Sequence, residues 1–278
     1  MEQNTLDKIT KCMLTKSDIQ KVQTEHRIKL AQFWGIKEGS RLLEIGCGQG
    51  DTTAVLAYLA GETGFVHAID IASPDYGAPA TLGASADFLK KSFLGDRIAF
   101  DFETNVLSPG IDFPDNYFDF IILSHCSWYF KTSREFSSVL ERTRKWGKQL
   151  CFAEWDARIT SIEQYPHLLA ILIQAQYESF KNDSESNVRT LFTPEDIKNI
   201  AGKAGFRIQK ETSILSSLLQ DAKWEIEGLL QTYNEEISLI DDMPDKLKSL
   251  IHSEVNLLKE SIKHQQVKPM PIYACTAE

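Results

Sequence analysis

The chain has 278 residues, 42% of them apolar and 25% charged, with a formal net charge of −9. That length allows a well-buried core, and the composition is that of an ordinary globular protein. The acidic balance argues against nucleic-acid backbones and anionic lipid as partners, and no stretch approaches the roughly 18 apolar residues of a membrane helix.

Five cysteines show no C-x-x-C and no close pairing, which reads as reduced thiols. The opening "MEQNTLDKITKCML" lacks the long apolar region of a signal peptide. A cytoplasmic location is the expectation. His26, His67, His167, His252 and His264 show no metal-ligand spacing, so no metal site is expected.

From Thr5 to Trp34 apolar residues recur at helical spacing, with Ser17 and Gln20 suggesting a capping box for a second helix. "RLLEIG" (41–46) reads as a short strand, 51–64 as a helix stopped by glycine, and "FVHAID" (65–70) as a strand. Residues 73–83 read as a loop, 85–94 as a helix and "RIAFDF" (97–102) as a strand. "YFDFIILSH" (117–125) is the strongest strand signal, followed by a helix over 130–146 and a strand over 148–156. The chain is then mostly helical to about Lys181, with a polar loop at 181–187. Thr193 as N-cap and Pro194 at the first helical position open a helix that closes at Gly205. "FRIQKET" (206–212) reads as a strand.

Residues 216–264 read as a helical hairpin. One stripe is Leu218, Ala222, Ile226, Leu229, Tyr233 and Ile237; the other is Leu247, Leu250, Ile251, Val255, Leu258 and Ile262. "PIYACTA" (271–277) is the closing strand. Alternating strands and helices predict an α/β fold: a doubly wound, mostly parallel seven-stranded sheet with N-terminal helices and helical insertions before and after the sixth strand. The expected division is an N-terminal helical segment (1–40), a core (41–214) with an insertion at about 157–190, a hairpin insertion (215–266) and a final strand (267–278). The hairpin could pack on the core, cover a substrate or pair two subunits.

"LLEIGCGQG" (42–50) places three glycines between a strand and a helix. Bare backbone there lets a ligand approach closely, and the helix N-terminus offers free N–H groups. A phosphate-binding P-loop would need Lys after Gly50, where Asp51 stands. A dinucleotide fingerprint has its third glycine position filled by the same Asp51, which is unfavourable beside a pyrophosphate. The next strand ends in Asp70, suited to accept hydrogen bonds from ribose hydroxyls. Glu44 and Asp51 suit a nucleotide cofactor that carries positive charge and no phosphate.

Taken in order, "LLEIGCGQG", "VHAIDI", "FPDNYFDFIILSH" and "LFTPEDIKNIAGKAGF" resemble the class I S-adenosylmethionine-dependent methyltransferases, of the Rossmann-like superfamily and small-molecule type. The resemblance runs from about Arg41 to Phe206, with "PIYACTA" as the final strand. It implies S-adenosyl-L-methionine as cofactor and S-adenosyl-L-homocysteine as product. By resemblance Glu44, Gly46, Cys47, Gly48 and Gly50 form the cofactor loop, Asp70 holds the ribose and Ile71 touches the adenine face. Glu103 or Asn105 would face the adenine amine, although the family's usual pattern is absent at that point. Ser124 is placed with the cofactor-binding set at the end of the fourth strand.

Ligands of an open parallel sheet sit at the carboxyl ends of its strands. There "SHCSWYF" and "AEWD" supply His125, Trp128, Tyr129, Glu154, Trp155 and Asp156. His125 is the candidate base, with Tyr129 and Glu154 as further catalytic candidates; a histidine braced beneath the cofactor is the competing reading. The [N/D]-P-P-[Y/F] motif of amino-methylating DNA enzymes is absent after the fourth strand, so a small-molecule acceptor is expected. The alternatives are a cyclopropane-fatty-acid-synthase-like lipid enzyme and a cofactor-binding regulator or inactive paralogue. A nicotinamide oxidoreductase is disfavoured by Asp51. No integral membrane association is expected, and a homodimer through the helical insertions is possible on this pattern.

Overall fold

The computed structural model describes residues 3–184, 186–264 and 266–278, without the side chains of Gln3 and His264. Residues 1, 2, 185 and 265 fall in the expected N-terminal segment, polar loop and hairpin and lie outside the described residues.

Two helices come first, α1 (Gln3–Lys11) and α2 (Asp18–Trp34). Ser17 caps α2 by accepting a hydrogen bond from the Gln20 backbone, as its sequence position predicts. The Gln20 side chain does not turn back to complete a box; it donates to Met13 Sδ at 3.1 Å and to Asp51 Oδ1 at 3.0 Å. Next in the chain are β1 (Arg41–Ile45), α3 (Asp51–Leu59), β2 (Phe65–Ile69), α4 (Leu82–Lys90), β3 (Ile98–Asp101) and β4 (Phe118–Ser124). After them come α5 (Ser133–Trp146), β5 (Gly147–Trp155), α6 (Tyr165–Glu178), α7 (Pro194–Lys203) and β6 (Ile208–Ile214). The chain closes with α8 (Asp221–Ser238), α9 (Asp245–His264) and β7 (Ile272–Ala277).

The seven strands form one sheet in the order β3-β2-β1-β4-β5-β7-β6. β3, β2, β1, β4 and β5 run parallel; β7 is antiparallel to both β5 and β6. This is the expected mostly parallel α/β sheet. Its central strands are apolar along their length because helices cover both faces: Ile121, Ile122 and Leu123 of β4 are fully buried. The strand order reverses between β1 and β4, the place where such sheets open a ligand crevice.

The helices divide into groups. α1, α2 and α3 pack together, and α5 packs on α7. α6, α8 and α9 build a second apolar cluster around Ile173, Tyr177, Leu229, Tyr233, Ile251 and Val255. Three residues of the expected stripes are not inside it, and of these Ala222 is nonetheless buried. Leu218 precedes α8 and is 68% exposed, and Leu250 is 49% exposed. Thr193 caps α7 and Pro194 opens it, with Asp196 completing a capping box. Among the described residues no helix is long and apolar enough to cross a membrane.

Candidate functional site

The parallel register sets the ends of four strands level. Ile45 of β1 faces Ile69 of β2 and Leu123 of β4, and Ser124 faces Ala153 of β5. The glycine turn, Asp70, His125 and Glu154 therefore meet at one edge of the sheet.

The glycine turn is held from below by backbone. Gly46 and Cys47 both donate to the Ile69 carbonyl, at 2.9 and 3.2 Å. Gly46, Gly48 and Gly50 all have left-handed φ, of 76°, 53° and 83°. At Gly46 a side chain is also excluded by space, since a Cβ there would lie 2.7 Å from Cys126 Cβ. At Gly48 nothing lies within 4 Å of that position, so this part of the turn faces open space.

Asp70 closes the turn from the side. One carboxylate oxygen accepts from the Gly48 N–H at 2.8 Å and the other from the Ala72 N–H at 2.9 Å. Each oxygen has a second lone pair, so the group retains capacity for hydroxyl donors. Ile71 beside it is 65% exposed, a bare apolar surface next to an acid. Thr104 N–H bonds the Asp70 carbonyl and Glu103 N–H bonds the Ala72 carbonyl, which bring the loop after β3 alongside. Glu103 is exposed with φ 52°, whereas the Asn105 side chain accepts from the Leu107 N–H.

Glu44 is buried, and Thr53 Oγ1 donates to it at 2.6 Å. Burial pushes its carboxyl up to about 8; the Thr53 bond and the charge of Arg27 act against that. Asp51 is turned toward α2, where Gln20 bonds it and the Arg27 guanidinium lies 3.6 Å away. The carboxylate that the sequence sets against a diphosphate is thus engaged by α2, and Glu44 is the acid buried beneath the turn.

At the ends of β4 and β5 the described side chains form a polar chain. His125 has φ 53°, a region histidine enters more readily than most residues. Its Nε2 lies 3.2 Å from His26 Nε2, and His26 Nδ1 lies 3.0 Å from Ser216 Oγ. Its Nδ1 is 3.6 Å from Glu154 Oε1, beyond hydrogen-bond range. Glu154 is buried and accepts from Ser127 N–H, Ser127 Oγ and Trp155 N–H at 3.0, 2.8 and 3.0 Å, so it braces the turn after β4. A base role for His125 would use Nδ1 or require Nε2 to leave His26. Trp128 and Trp155 are buried, and Asp156 is buried against Arg158. Tyr129 is 40% exposed and donates to Asn187 Oδ1 at 3.0 Å.

No sequence signal marks His26, Ser216, Ser127 or Asn187 as members of this site. His26 falls in the helical stripe of α2, and no spacing rule joins it to His125 99 positions later. Ser124 Oγ is buried with no hydrogen-bond partner among the described residues. That orphaned hydroxyl, the open space at Gly48, the exposed Ile71 and the free lone pairs of Asp70 fit a nucleoside-bearing cofactor of the implied kind. Among the described residues no group of His, Cys, Asp or Glu could hold a metal ion; the His264 side chain lies outside them.

His26 makes a pH prediction. Burial, then the charges of His125, Arg27 and Lys29, lower it from 6.5 to about 2. The unfolded chain protonates this ring below about 6.5 while the folded protein does not, so its stabilising share is lost as pH falls through that window. Replacing His26 by Gln should flatten the acid limb of the stability profile by one proton, about 1.4 kcal/mol per pH unit. Urea unfolding from pH 7 to 5 measures it; an unchanged slope would mean His26 is protonated in the fold.

The chain is similar to known proteins. A family model described as a methyltransferase domain matches residues 20–211, beginning inside α2. A solved structure described as a cyclopropane-fatty-acyl-phospholipid synthase-like protein, from Lactobacillus casei, is 33% identical with a TM-score of 0.87, covering 99% of each chain. The methyltransferase phomM' of Diaporthe leptostromiformis is 27% identical over 209 residues, 61% of this chain and 54% of its own. The ubiquinone/menaquinone biosynthesis C-methyltransferase UbiE of Vibrio vulnificus is 26% identical over 180 residues, 62% of this chain and 66% of its own. The chain thus spans about half the length of the first of these curated relatives. With its match running from α2 into β6 and taking in the glycine turn, Asp70, His125 and Glu154, the chain belongs to the methyltransferase domain family.

Proposed function

We propose that the protein is an S-adenosylmethionine-dependent methyltransferase acting on a small-molecule acceptor. The observation that carries this reading is the joint placement of the glycine turn and Asp70, with one Asp70 oxygen on the Gly48 N–H and both oxygens still able to accept. Glu44, Gly46, Cys47, Gly48 and Gly50 would border the amino-acid end of the cofactor. Asp70 would hold the ribose hydroxyls and Ile71 would lie against the base. Glu103 and Asn105 both stand after β3 for the adenine amine: Glu103 is exposed, and the Asn105 side-chain oxygen accepts from the Leu107 N–H and keeps a second lone pair. Ser124 would offer its unpaired hydroxyl from the end of β4.

When bound, the cofactor supplies a methyl group on a sulfonium with a good leaving group. The protein's share is to align an acceptor with that methyl, which can contribute roughly 7–11 kcal/mol. His125, directly after β4, would take a proton through Nδ1. Its Nε2 partner, His26, is buried and held neutral, so it keeps the ring oriented without competing as a cation. Glu154, bonded three times by Ser127 and Trp155, stiffens the turn that carries Cys126 to Tyr129.

Calorimetry with S-adenosylmethionine and S-adenosylhomocysteine in two buffers of different ionisation enthalpy tests the reading. A cationic ligand beside Glu44 favours its ionised form, so binding near neutral pH should release a proton and the apparent enthalpy should differ between buffers. Absence of binding by either compound at millimolar concentration would sink the proposal.

A second reading, methylene transfer to a lipid alkene, is favoured by the description of the Lactobacillus casei protein.

A further inference from the structure

Beyond the strand ends lies a cleft of about 900 Å³ between α6, α8 and residues 181–184 and 186–189. It is joined to the strand ends by a polar thread. Tyr129 O–H donates to Asn187 Oδ1, and Asn187 Nδ2 lies 3.5 Å from Glu225 Oε1. Gln174 Nε2 donates to the other Glu225 oxygen at 2.9 Å. A molecule seated in this cleft therefore sits one side chain away from the turn after β4.

The charges lining the cleft are mostly spent on one another. Lys131 pairs with Asp183 at 2.6 Å. Lys181 sits between Glu178 and Glu236, at 2.6 and 2.5 Å. Two groups are left over. Glu225 is met only by neutral amides, and among the described residues it has no cationic partner. Burial pushes its carboxyl up from the ordinary range, as it does for an acid that lacks a cation. Arg189 spends its Nε on the Ser186 carbonyl and lies with Cζ 6.0 Å from the Tyr129 ring centroid; among the described residues no carboxylate is within ion-pair distance of it. Trp224, 47% exposed next to Glu225, gives a cation an aromatic face as well.

We propose that this cleft seats the methyl acceptor and that the acceptor is zwitterionic, with its ammonium group on Glu225 and its anionic group on Arg189. The inference rests on the methyltransferase reading and narrows it. A half-buried acid and a guanidinium, neither with a counter-charge among the described residues, are stabilised together by a ligand that brings both. An acceptor without charge would leave both uncompensated. The same pair of charges can come from a free amino acid or similar solute, or from the headgroup of phosphatidylethanolamine. Where the acceptor atom is that nitrogen, it would first pass a proton to Glu225 and then use the freed lone pair to form the carbon–nitrogen bond as the methyl–sulfur bond breaks.

The test uses the whole protein and cofactor labelled in the transferred methyl. Water-soluble metabolites are divided into neutral, cationic, anionic and zwitterionic pools, the last retained by a cation exchanger in acid and an anion exchanger in alkali. Phosphatidylethanolamine vesicles form a separate arm. Label should enter the zwitterionic pool or the vesicle headgroup, and those two arms distinguish the source. Glu225→Gln and Arg189→Gln should each raise the KM for that pool roughly tenfold or more with kcat little changed. Calorimetric binding of S-adenosylhomocysteine to both variants should match wild type, which shows that they fold. Label in the neutral, cationic-only or anionic-only pool, in a lipid acyl chain, or undiminished by both substitutions overturns the zwitterion. No label in any arm overturns methyl transfer itself.

Discussion

Replacing Gly46 by Ala should lower the unfolding free energy by about 2–5 kcal/mol. The left-handed backbone costs an L-residue roughly 1–2 kcal/mol, and forcing a methyl into a filled site about 1–3 kcal/mol more. Both costs apply at Gly46, with φ 76° and a Cβ that would fall 2.7 Å from Cys126 Cβ. Cys126 is no flexible tip that can move aside: its Sγ lies 3.2 Å from the Ile45 carbonyl. The double-mutant cycle with Cys126→Gly separates the two. Removing that Cβ should recover the packing part and leave the backbone part, so the two substitutions should couple favourably by about 1–3 kcal/mol. Urea midpoints of the four proteins decide it. Additivity would mean that strain at Gly46 is not a contact with Cys126. Gly48→Ala makes a useful contrast, because its backbone is left-handed but its surroundings are open.

Asp70→Ala should weaken binding of S-adenosylhomocysteine by about 2–4 kcal/mol, on the order of 30- to 1000-fold. An acid that only met the ribose would account for the lower end. The larger figure arises because the same carboxylate fixes the Gly48 N–H and the Ala72 N–H. Without it the turn keeps its backbone bonds to Ile69 but loses its lateral tie. Asp70→Asn keeps one acceptor oxygen and should fall between wild type and Ala. Equilibrium dialysis against labelled S-adenosylhomocysteine reads all three proteins. Equal affinity in Asp70→Ala and wild type would remove Asp70 from the cofactor site.

The parts of this protein legible in its sequence are those that short-range chemistry fixes. β1, β4 and β5 are near-continuous apolar runs because both faces of a parallel sheet are covered, and they fall within two residues of the expected ranges. Thr193 and Pro194 mark their helix start because capping needs those residue types at those places. The glycine turn and Asp70 are legible because bare backbone beside an acid has few other uses. Where structure and expectation part, contacts from distant segments decide the outcome. The helix expected from residue 216 begins at Asp221, and Ser216 in the preceding turn bonds His26. The helix expected over 51–64 ends at Leu59 and gives way to the left-handed Gly61. His26, Gln20 and Arg27 reach the site from α2, and periodicity cannot say which polar side chains of a helix face a ligand crevice. Glu225 and Arg189 differ from the charges around them in lacking a counter-charge among the described residues, a property of three-dimensional pairing that no sequence pattern carries.

The place of β7 has a consequence for the order in which the chain can be made. Among the described residues β6 finds its sheet partner only in β7, and β5 finds its second one there. During synthesis, β5 leaves the ribosome more than a hundred residues ahead of β7. Until residues 272–277 emerge, one side of β5 is an unpaired apolar edge and β6 is a strand without a sheet. Exposed edges of that kind invite pairing with other chains. The nascent protein thus carries its sharpest aggregation hazard from the moment β5 emerges, and loses it once β7 emerges to pair with β5 and β6.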